Sequence, residues 1–207
     1  MVNLPNIMII GLTGQSGAGK STVCKVFAES GFSIIDCDDI ARKTANNRRF
    51  LDEIPRRFTG ELLNPDGTLN RTATAKLIFT DEEKRGLYQR IIFPYIVNGI
   101  IRGIKSSRGC VLLDAPTLFE AKLEMVCDKI VSVTSDTDKC AERIIKRDKI
   151  TPEQARERLS SQHGAEFFKE RCDFNIENNG TLEELISSAK RITEKLRTET
   201  DNEQIQT

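Results

Sequence analysis

A glycine-rich segment near the start of the chain carries the strongest chemical signal. Residues 14–21 read Gly-Gln-Ser-Gly-Ala-Gly-Lys-Ser and fit the phosphate-binding pattern G-x-x-x-x-G-K-[ST]. Glycines let backbone N–H groups turn inward around an anion, and the start of a following helix adds partial positive charge. Lys20 can reach the β- and γ-phosphates of a nucleotide, and the Ser21 hydroxyl can ligate Mg²⁺. The motif therefore predicts nucleotide phosphate binding.

The segments around this loop predict an α/β sheet. The apolar run at residues 7–12 predicts a buried strand, and residues 20–30 have helical spacing that stops before Gly31. Three more short apolar runs predict strands at residues 32–35, 111–113 and 130–133. Strands that alternate with helices over this length favour a parallel sheet with helices on both faces.

Other segments have the patterns of helices. Residues 81–105 form a long apolar-periodic stretch, which Pro94 is expected to kink or divide in two. Capping boxes that begin at Thr151 and at Thr181 each predict the start of a helix. After residue 197 the chain is polar and without periodicity, which predicts a frayed tail.

Acidic residues follow the second and third predicted strands. In a parallel sheet these positions face the ligand crevice, and a phosphoryl acceptor needs a carboxylate to take its proton. Asp38 is the better candidate for that base, Asp39 for capping the next helix, and Asp36 for orienting the site or acting through Mg²⁺. Asp114 ends the third strand, where a carboxylate would hold a metal-bound water; its alternative role is in a turn before Pro116.

Arg143 and Arg147 are four residues apart, so they share one face of a helix. They could pair with Glu142 and Asp148 on a solvated helix, and this stretch taken alone favours that interpretation. Alternatively, they could belong to a lid whose arginines neutralise the charge on a transferring phosphoryl group.

Composition excludes several classes of protein. The 207 residues carry 31 Lys plus Arg against 31 Asp plus Glu, so no net charge is available for coating nucleic acid. No apolar run approaches the roughly 20 residues that span a bilayer, and no signal peptide is evident. The six cysteines are scattered without a C-x-x-C pair, which favours thiols in a reducing cytoplasm over a zinc site or a disulfide framework.

The segments after the strands separate the classes of nucleotide-binding protein. No N-K-x-D pattern follows residues 130–133, which argues against a GTPase. Asp114 is followed by Ala115 rather than Glu, which argues against an ATP-driven motor. The compact loop and the short chain favour a small-molecule kinase, in which a lid closes over the nucleotide and excludes water.

Taken in order, the motifs resemble the dephospho-CoA kinase family. The resembling segments are residues 10–22, 34–42, 66–71, 113–120, 143–162 and 173–180. The phosphate loop is shared by many families. The acidic motif at residues 36–39, followed later in the chain by the Pro116–Glu120 segment, is specific to this family. The departures from the family pattern are Asn70 for Asp, Phe93 for His, Thr117 for Leu and Cys140 for Gln.

The resemblance implies a P-loop NTPase fold with a five-stranded parallel sheet, helices on both faces, and helical acceptor-binding and lid segments. A single kinase domain would cover residues 1–197, followed by a flexible tail at 198–207. The core would comprise about 5–45, 108–135 and 172–197, the acceptor-binding segment about 46–107, and the lid about 136–171.

The resemblance also implies the reaction, which is transfer of the γ-phosphoryl of ATP to the ribose 3′-hydroxyl of dephospho-CoA with Mg²⁺. The implied catalytic residues are Asp38 as the base, Lys20, Arg143 and Arg147. The residues implied to bind ATP are Gly14, Gly17, Ala18, Gly19, Lys20, Ser21 and Thr22. Those implied to bind the acceptor are Asp36, Arg42, Arg71, Pro116, Leu118, Phe119 and Glu120, with Ser21 and Asp114 for the metal.

The implied partners are dephospho-CoA and ATP, without nucleic acid or membrane, for a cytoplasmic monomer or small homo-oligomer. Another small P-loop kinase, acting on a nucleoside, a nucleoside monophosphate or a shikimate-like hydroxyl, is the alternative within the same class. A regulatory nucleotide-binding module without catalysis is the alternative from a different class. Lys20, Ser21, Asp38 and Asp114 argue against it, because such a module has little need for all four.

Overall fold

The structure is a computed structural model that describes residues 7–58 and 62–205; for residues 79 and 201–205 it describes the backbone only. The ends of the predicted core and tail at residues 5–6 and 206–207, and residues 59–61 of the predicted acceptor-binding segment, lie outside this range. The chain divides into two compact units. The first comprises the described residues up to Ile35 and from Ser107 onward, and the second comprises Asp36–Ser106.

The first unit is built on a five-stranded sheet. Its strands are β1 (Ile9–Gly14), β2 (Ser33–Asp36), β3 (Val111–Asp114), β4 (Lys129–Thr134) and β5 (Phe174–Glu177). They lie in the order β2-β3-β1-β4-β5, with β1 parallel to β3 and β4, and β4 parallel to β5. The four strands predicted from apolar runs are confirmed, and the central position of β1 puts its last residue, Gly14, in the middle of the carboxyl edge.

Five helices belong to the first unit. They are α1 (Lys20–Glu29), α6 (Thr137–Asp148), α7 (Pro152–Ser160), α8 (Ala165–Arg171) and α9 (Leu182–Ile205). Both predicted capping boxes are confirmed: Thr151 and Gln154 bond reciprocally before α7, and Thr181 and Glu184 do so before α9.

The core of the first unit follows from the alternation of side chains along β1. Ile10 and Leu12 point to one face and are fully buried in one cluster with Phe27 of α1 and Ala189 of α9. Gly11 points to the other face, where an added Cβ would lie 2.5 Å from Leu118. Close packing on both faces fixes the position of the strand from which the phosphate loop starts.

The end of α9 corrects the predicted tail. The helix continues past Arg197 to Ile205. Thr200 is buried; its hydroxyl donates to the Leu196 carbonyl at 2.9 Å and lies 3.3 Å from the Cys110 sulfur. These contacts extend the helix through residues that lack an apolar period, so the prediction of a frayed tail directly after residue 197 is wrong.

The second unit is helical. Its helices are α2 (Cys37–Thr44), α3 (Arg48–Arg57), α4 (Arg71–Thr80) and α5 (Glu82–Ser106). Phe50 and Ile54 of α3 are buried, and the Phe50 ring meets the Tyr88 ring of α5 edge-on at 5.9 Å. The unit includes α2, which the predicted boundary at residue 46 leaves in the core, because α2 packs against α5 where Ile40 contacts Gly99.

The long helix α5 runs without interruption through Pro94. Tyr88 and Ile91 before the proline are buried, as are Ile100 and Ile104 after it. Packing on both sides of Pro94 therefore outweighs the lost backbone hydrogen bond. Of the two expected effects of the proline, a kink or a division into two helices, the division is wrong. No helix in residues 7–58 and 62–205 is long and apolar enough to cross a membrane.

Candidate active site

The phosphate loop runs from the end of β1 to the start of α1, and its glycines are required by close contacts. Gly14 has a φ of +138°, and a Cβ there would lie 2.1 Å from the Val133 carbonyl oxygen. Gly19 has a φ of +106°, and its Cβ would lie 2.5 Å from the Asn178 amide nitrogen. Any other residue type would be strained at both positions by the positive φ, and at Gly14 its Cβ would also clash with the backbone of Val133.

The loop presents open hydrogen-bond donors. In the described part of the chain, no acceptor takes a hydrogen bond from the N–H groups of Gly17, Gly19, Lys20 or Ser21. These donors stand at the N-terminus of α1, where the helix dipole favours an anion. The arrangement suits the phosphates of a nucleotide.

Two residues predicted to bind ATP use their N–H groups inside the loop instead. The N–H of Ala18 donates to the Gln15 carbonyl at 3.2 Å, and that of Thr22 donates to the Gly19 carbonyl at 3.0 Å. Both bonds tighten the turn. Ala18 and Thr22 therefore shape the loop in this structure rather than offering free donors.

Lys20 and Asp114 form an ion pair across the loop. Lys20 is the first residue of α1, and Asp114 is the last residue of β3, the strand beside β1. Both side chains are about one-sixth exposed, at 17% and 18%, so water screens the pair only in part. The sheet thus brings two of the predicted site residues together.

The oxygen donors in this region fit Mg²⁺. Ser21 follows Lys20 and is exposed, and Asp114 contacts Lys20, so a hydroxyl and a carboxylate adjoin the same lysine. The described residues contain no group of three or more His, Cys, Asp or Glu that could hold a metal by themselves. Mg²⁺ takes one or two protein oxygens together with phosphates and water, and the Ser21 hydroxyl and the Asp114 carboxylate are oxygens of that kind.

Arg143 of α6 forms hydrogen bonds with the phosphate loop and with the segments after β4 and β5. Its guanidinium donates to the carbonyl oxygens of Gly17 at 3.3 Å and Asn178 at 3.0 Å, and to the Ser135 hydroxyl at 3.2 Å. The side chain is half-buried. With three acceptors engaged, Arg143 is a positioning residue for the loop in this structure rather than an arginine poised over the phosphates.

Amide side chains that the sequence pattern did not single out for a role complete this support. Asn178 donates its side-chain N–H to the Ala18 carbonyl at 2.7 Å, and Gln15 accepts from the Ser135 N–H at 3.1 Å. Gln162, from the connection after α7, accepts from the Ser16 N–H at 3.0 Å. Gln162 and Asn178 lie in segments that carry the family resemblance, which is the only sequence signal that marked them.

Arg147 lies in a different environment from Arg143. It is exposed and donates two hydrogen bonds, of 2.7 and 2.9 Å, to the carboxylate of Asp148. Arg158 of α7 pairs with the same carboxylate. The bonds from Arg147 are the main cause that lowers the pKa of Asp148 to about 2. The interpretation as a solvated helix thus describes Arg147, and does not describe Arg143.

The acidic motif begins the second unit. The Asp36 carboxylate accepts from the Asp39 N–H at 2.8 Å and caps α2, so the prediction that Asp39 is the cap is wrong. Asp39 instead pairs with Lys43 at 2.6 Å, and this bond is the main cause that lowers its pKa. Asp38 is an exposed residue in the first turn of α2.

The two arginines predicted to hold the acceptor both lie in the second unit. Arg42 contacts Asp39 at 3.4 Å and Asp36 at 4.0 Å, so it braces the acidic motif. Arg71 is the exposed first residue of α4. The preceding Asn70 accepts from the Ala73 N–H at 3.0 Å and caps that helix, a role that Asp fills equally well. The departure at residue 70 is therefore explained by capping.

The segment after β3 contains four residues predicted to bind the acceptor. Leu118 is fully buried against Gly11, so it supports the sheet and cannot contact a substrate directly. The Pro116 carbonyl accepts from the Thr13 hydroxyl at 3.1 Å. Phe119 packs edge-on against Phe167 of α8 at 5.2 Å. The fourth residue, Glu120, is exposed, and its carboxylate lies 3.7 Å from the Nε2 atom of His163.

His163 joins this segment to the connection between α7 and α8. Its ring stacks on Phe167 with centroids 3.6 Å apart, and its Nε2 lies 3.7 Å from the Glu120 carboxylate. Its neighbour Gln162 contacts Ser16 of the loop. The predicted lid thus touches both the phosphate loop and the Pro116–Glu120 segment.

None of the six cysteines, all of which lie in the described ranges, forms a disulfide. Burial raises the pKa of the Cys140 and Cys172 thiols, which disfavours the thiolate form. Cys140 lies under the loop, where a Cβ on Gly17 would be 2.6 Å from its carbonyl oxygen. The departure at residue 140 therefore places a small buried side chain beneath the loop.

A central parallel strand, a glycine-rich loop with open donors and a lysine at the start of α1 define an α/β P-loop protein. A sequence model of dephospho-CoA kinase matches residues 8–184, and the chain belongs to the dephospho-CoA kinase family. The predicted family and the parallel five-stranded fold are confirmed, and the protein is a kinase.

Relatives agree with this assignment over nearly the full chain. Dephospho-CoA kinase from Fusobacterium nucleatum is 36% identical over 193 residues, covering 92% of this chain and 100% of that protein. Dephospho-CoA kinase from Listeria monocytogenes is 37% identical over 179 residues, covering 84% and 90%. The crystal structure of TT1252 from Thermus thermophilus superposes with a TM-score of 0.80 at 27% identity, covering 91% and 97%.

Proposed function

We propose that this protein transfers the γ-phosphoryl group of ATP to the ribose 3′-hydroxyl of dephospho-CoA, giving coenzyme A and ADP. Membership of the dephospho-CoA kinase family supports the acceptor. The loop carries the phosphoryl-transfer chemistry, because four open N–H groups stand beside Lys20 at a helix N-terminus.

ATP binding would rearrange one ion pair. Lys20 pairs with Asp114 in the present structure. We infer that the lysine turns to the β- and γ-phosphates when ATP enters, since two phosphate groups offer more negative charge than one carboxylate. Asp114 and the Ser21 hydroxyl would then hold Mg²⁺ or its water. The bound ion would supply neutralisation of the phosphate charge.

Asp38 is the proposed base. The 3′-hydroxyl oxygen of the acceptor forms a bond to the γ-phosphorus, and the bond from that phosphorus to the bridging oxygen of ADP breaks. The hydroxyl proton passes to the Asp38 carboxylate. Asp38 is exposed in the first turn of α2, and its place in the segment at residues 34–42, which resembles the family's acidic motif, supports this role.

The two lid arginines would contribute differently. Arg143 keeps the loop amides directed at the phosphates through its bond to Gly17. Arg147 would leave Asp148 and neutralise charge on the transferring group when the lid closes. We further propose that Arg42, Arg71, Pro116, Phe119 and Glu120 contribute to the acceptor site. The proposed location of the reaction is the cytoplasm, whose reducing conditions suit six cysteines that form no disulfide in the described ranges.

The choice of acceptor tests the proposal. ADP formation is measured with dephospho-CoA, adenosine, AMP and shikimate at equal concentrations, with Mg²⁺ and ATP. We expect kcat/KM for dephospho-CoA to exceed the others by at least about 100-fold, which polar contacts to a correct substrate readily supply. Brisk turnover of another acceptor, with none of dephospho-CoA, would show that the alternative kinase is the correct one.

A further inference from the structure

A cavity of about 570 Å³ lies entirely within the second unit, among α2, the start of α3 and the second half of α5. Its volume is in the range of small-molecule sites. Four of the lining residues are basic, namely Lys43, Arg49, Arg102 and Lys105. No lining residue is acidic. The cavity thus concentrates positive charge in a chain whose net charge is zero.

Most of this charge is not compensated by the protein. Lys43 pairs with Asp39 at 2.6 Å. Arg49, Arg102 and Lys105 form no ion pair with any residue of the described ranges. Cations that share one cavity repel each other, and this repulsion is relieved when an anion binds among them.

An acidic side chain next to the cavity, Glu53, is already engaged. Tyr95 lines the cavity, and its hydroxyl donates to the Glu53 carboxylate. Glu53 lines an adjoining cavity of about 470 Å³ rather than this one. Its hydrogen bond to Tyr95 competes with any pairing to Arg49, so Glu53 does not replace an external anion.

The cations of the cavity are of types that bind phosphate well. Arg49 and Arg102 each carry a planar guanidinium, which can donate two parallel hydrogen bonds to a phosphate, and Lys105 adds a compact charge. Asn98 adds an amide group at the wall. A cavity of this size accommodates one or two phosphate groups together with the molecule that bears them.

The cavity borders the side of α2 that faces away from Asp38, the proposed base. At 3.6 residues per turn, Ile40, Lys43 and Thr44 cluster on the side of the helix opposite Asp38. A ligand in the cavity therefore does not occupy the position of a hydroxyl beside Asp38. The phosphate loop belongs to the other unit.

We propose that this cavity binds the phosphate or diphosphate group of a small molecule, at a site separate from the phosphate-binding loop. Two sources would present the same chemistry: the diphosphate of the acceptor itself, or a second phosphorylated metabolite. The site does not depend on the role assigned to Asp38.

Calorimetric titration with inorganic pyrophosphate tests the site. The full chain is first saturated with a non-hydrolysable ATP analogue and excess Mg²⁺, so that the phosphate loop is filled. We expect one pyrophosphate site, weakened by about 10-fold or more in R102Q/K105Q, because two charge-assisted contacts are lost. The matched control R56Q/K76Q removes two exposed charges of the same unit outside the cavity and is expected to change the affinity less than about 2-fold.

Absence of pyrophosphate binding, or equal weakening in both double variants, would overturn the proposal. Thermal unfolding of each variant checks its folding, and the single variants R102Q and K105Q replace the double variant if it unfolds early. Each single variant is expected to weaken binding by roughly 3-fold or more.

Kinetics with dephospho-CoA distinguish the two sources. If the acceptor supplies the diphosphate, R102Q/K105Q raises the KM for dephospho-CoA and leaves the KM for ATP unchanged, and pyrophosphate competes with dephospho-CoA. If a second metabolite supplies it, the KM for dephospho-CoA is unchanged and pyrophosphate binds the acceptor-loaded protein. Failure of the proposed function would look different, since pyrophosphate would bind while dephospho-CoA was never phosphorylated.

Discussion

The guanidinium of Arg143 donates a hydrogen bond to the carbonyl oxygen of Gly17 at 3.3 Å, linking α6 to the backbone of the phosphate loop. The same side chain reaches Ser135 and Asn178, so one arginine connects the loop to the segments that follow β4 and β5. Loop amides can bind phosphate strongly only when they are held in place beforehand. Arg143 provides that support from outside the site.

Replacing Arg143 therefore tests its role in positioning the loop. We expect R143Q to weaken ATP binding by about 10-fold or more, because several charge-assisted hydrogen bonds are lost. R143K should recover part of the affinity, since an ammonium group keeps the charge but cannot span three acceptors. Calorimetry with a non-hydrolysable ATP analogue and no acceptor measures the effect without involving chemistry.

The matched control for this experiment is R147Q. Arg147 pairs with Asp148 and forms no hydrogen bond with a phosphate-loop residue in the described part of the chain. R147Q should leave the ATP affinity within about 2-fold of wild type and reduce kcat alone. Equal losses of ATP affinity in the two variants would contradict the division of roles between the arginines.

The assignment of Asp38 as the base predicts a selective loss of rate. We expect D38N to keep ATP affinity and to lower kcat by about 100-fold or more, because an amide cannot take the hydroxyl proton. D39N is the control, since Asp39 pairs with Lys43 on the same helix; its kcat should stay within about 3-fold of wild type. Steady-state kinetics at saturating ATP give both values. A near-normal kcat for D38N would place the base elsewhere.

The capping role of Asn70 predicts that aspartate is tolerated at this position. Because its side chain caps α4, N70D should unfold at nearly the temperature of the natural protein. N70A should lose about 1 kcal/mol of stability, which lowers the unfolding midpoint by roughly 2–4 °C. Calorimetric melting distinguishes the two. A large loss of stability in N70D would show that capping does not explain this departure from the family pattern.

Replacement by alanine is expected to have opposite effects on stability at two glycines of α5, Gly86 and Gly99. An alanine Cβ at Gly86 has its nearest neighbour 3.7 Å away, so G86A should add up to about 1 kcal/mol through helix propensity. A Cβ at Gly99 would lie 2.6 Å from the Cγ2 atom of Ile40, a stiff β-branched side chain. G99A should therefore destabilise by roughly 1–3 kcal/mol. Urea denaturation of both variants measures the two changes, and a stabilised G99A would contradict the packing of α2 on α5.

Local sequence signals predicted much of the framework. The phosphate loop, the strands around it and the two capping boxes depend on neighbouring residues, and the structure has all of them. The strand β5 has only four residues and no continuous apolar run, so only the family resemblance implied a fifth strand. The continuity of α5 through Pro94 depends on packing that local patterns do not encode.

The site was predicted less completely, because its support comes from distant parts of the chain. Arg143 reaches a carbonyl 126 residues away, and Asn178 reaches one 160 residues away. No spacing rule connects such positions. The choice between Asp36 and Asp39 as the cap of α2 depended on a helix start three residues earlier than the sequence suggested. Leu118 lies in a motif specific to the family, yet it is buried against Gly11 as part of the core.

The position of the transferred phosphate on the product is a direct test of the proposed reaction. The wild-type protein is incubated with ATP, Mg²⁺ and dephospho-CoA, and the product is examined by ³¹P NMR with coupling to the ribose protons. We predict a single new phosphomonoester coupled to the 3′ proton, formed at a rate that D38N lowers by about 100-fold. A phosphate on any other hydroxyl, or no transfer to dephospho-CoA while ATP is still bound, would contradict the account.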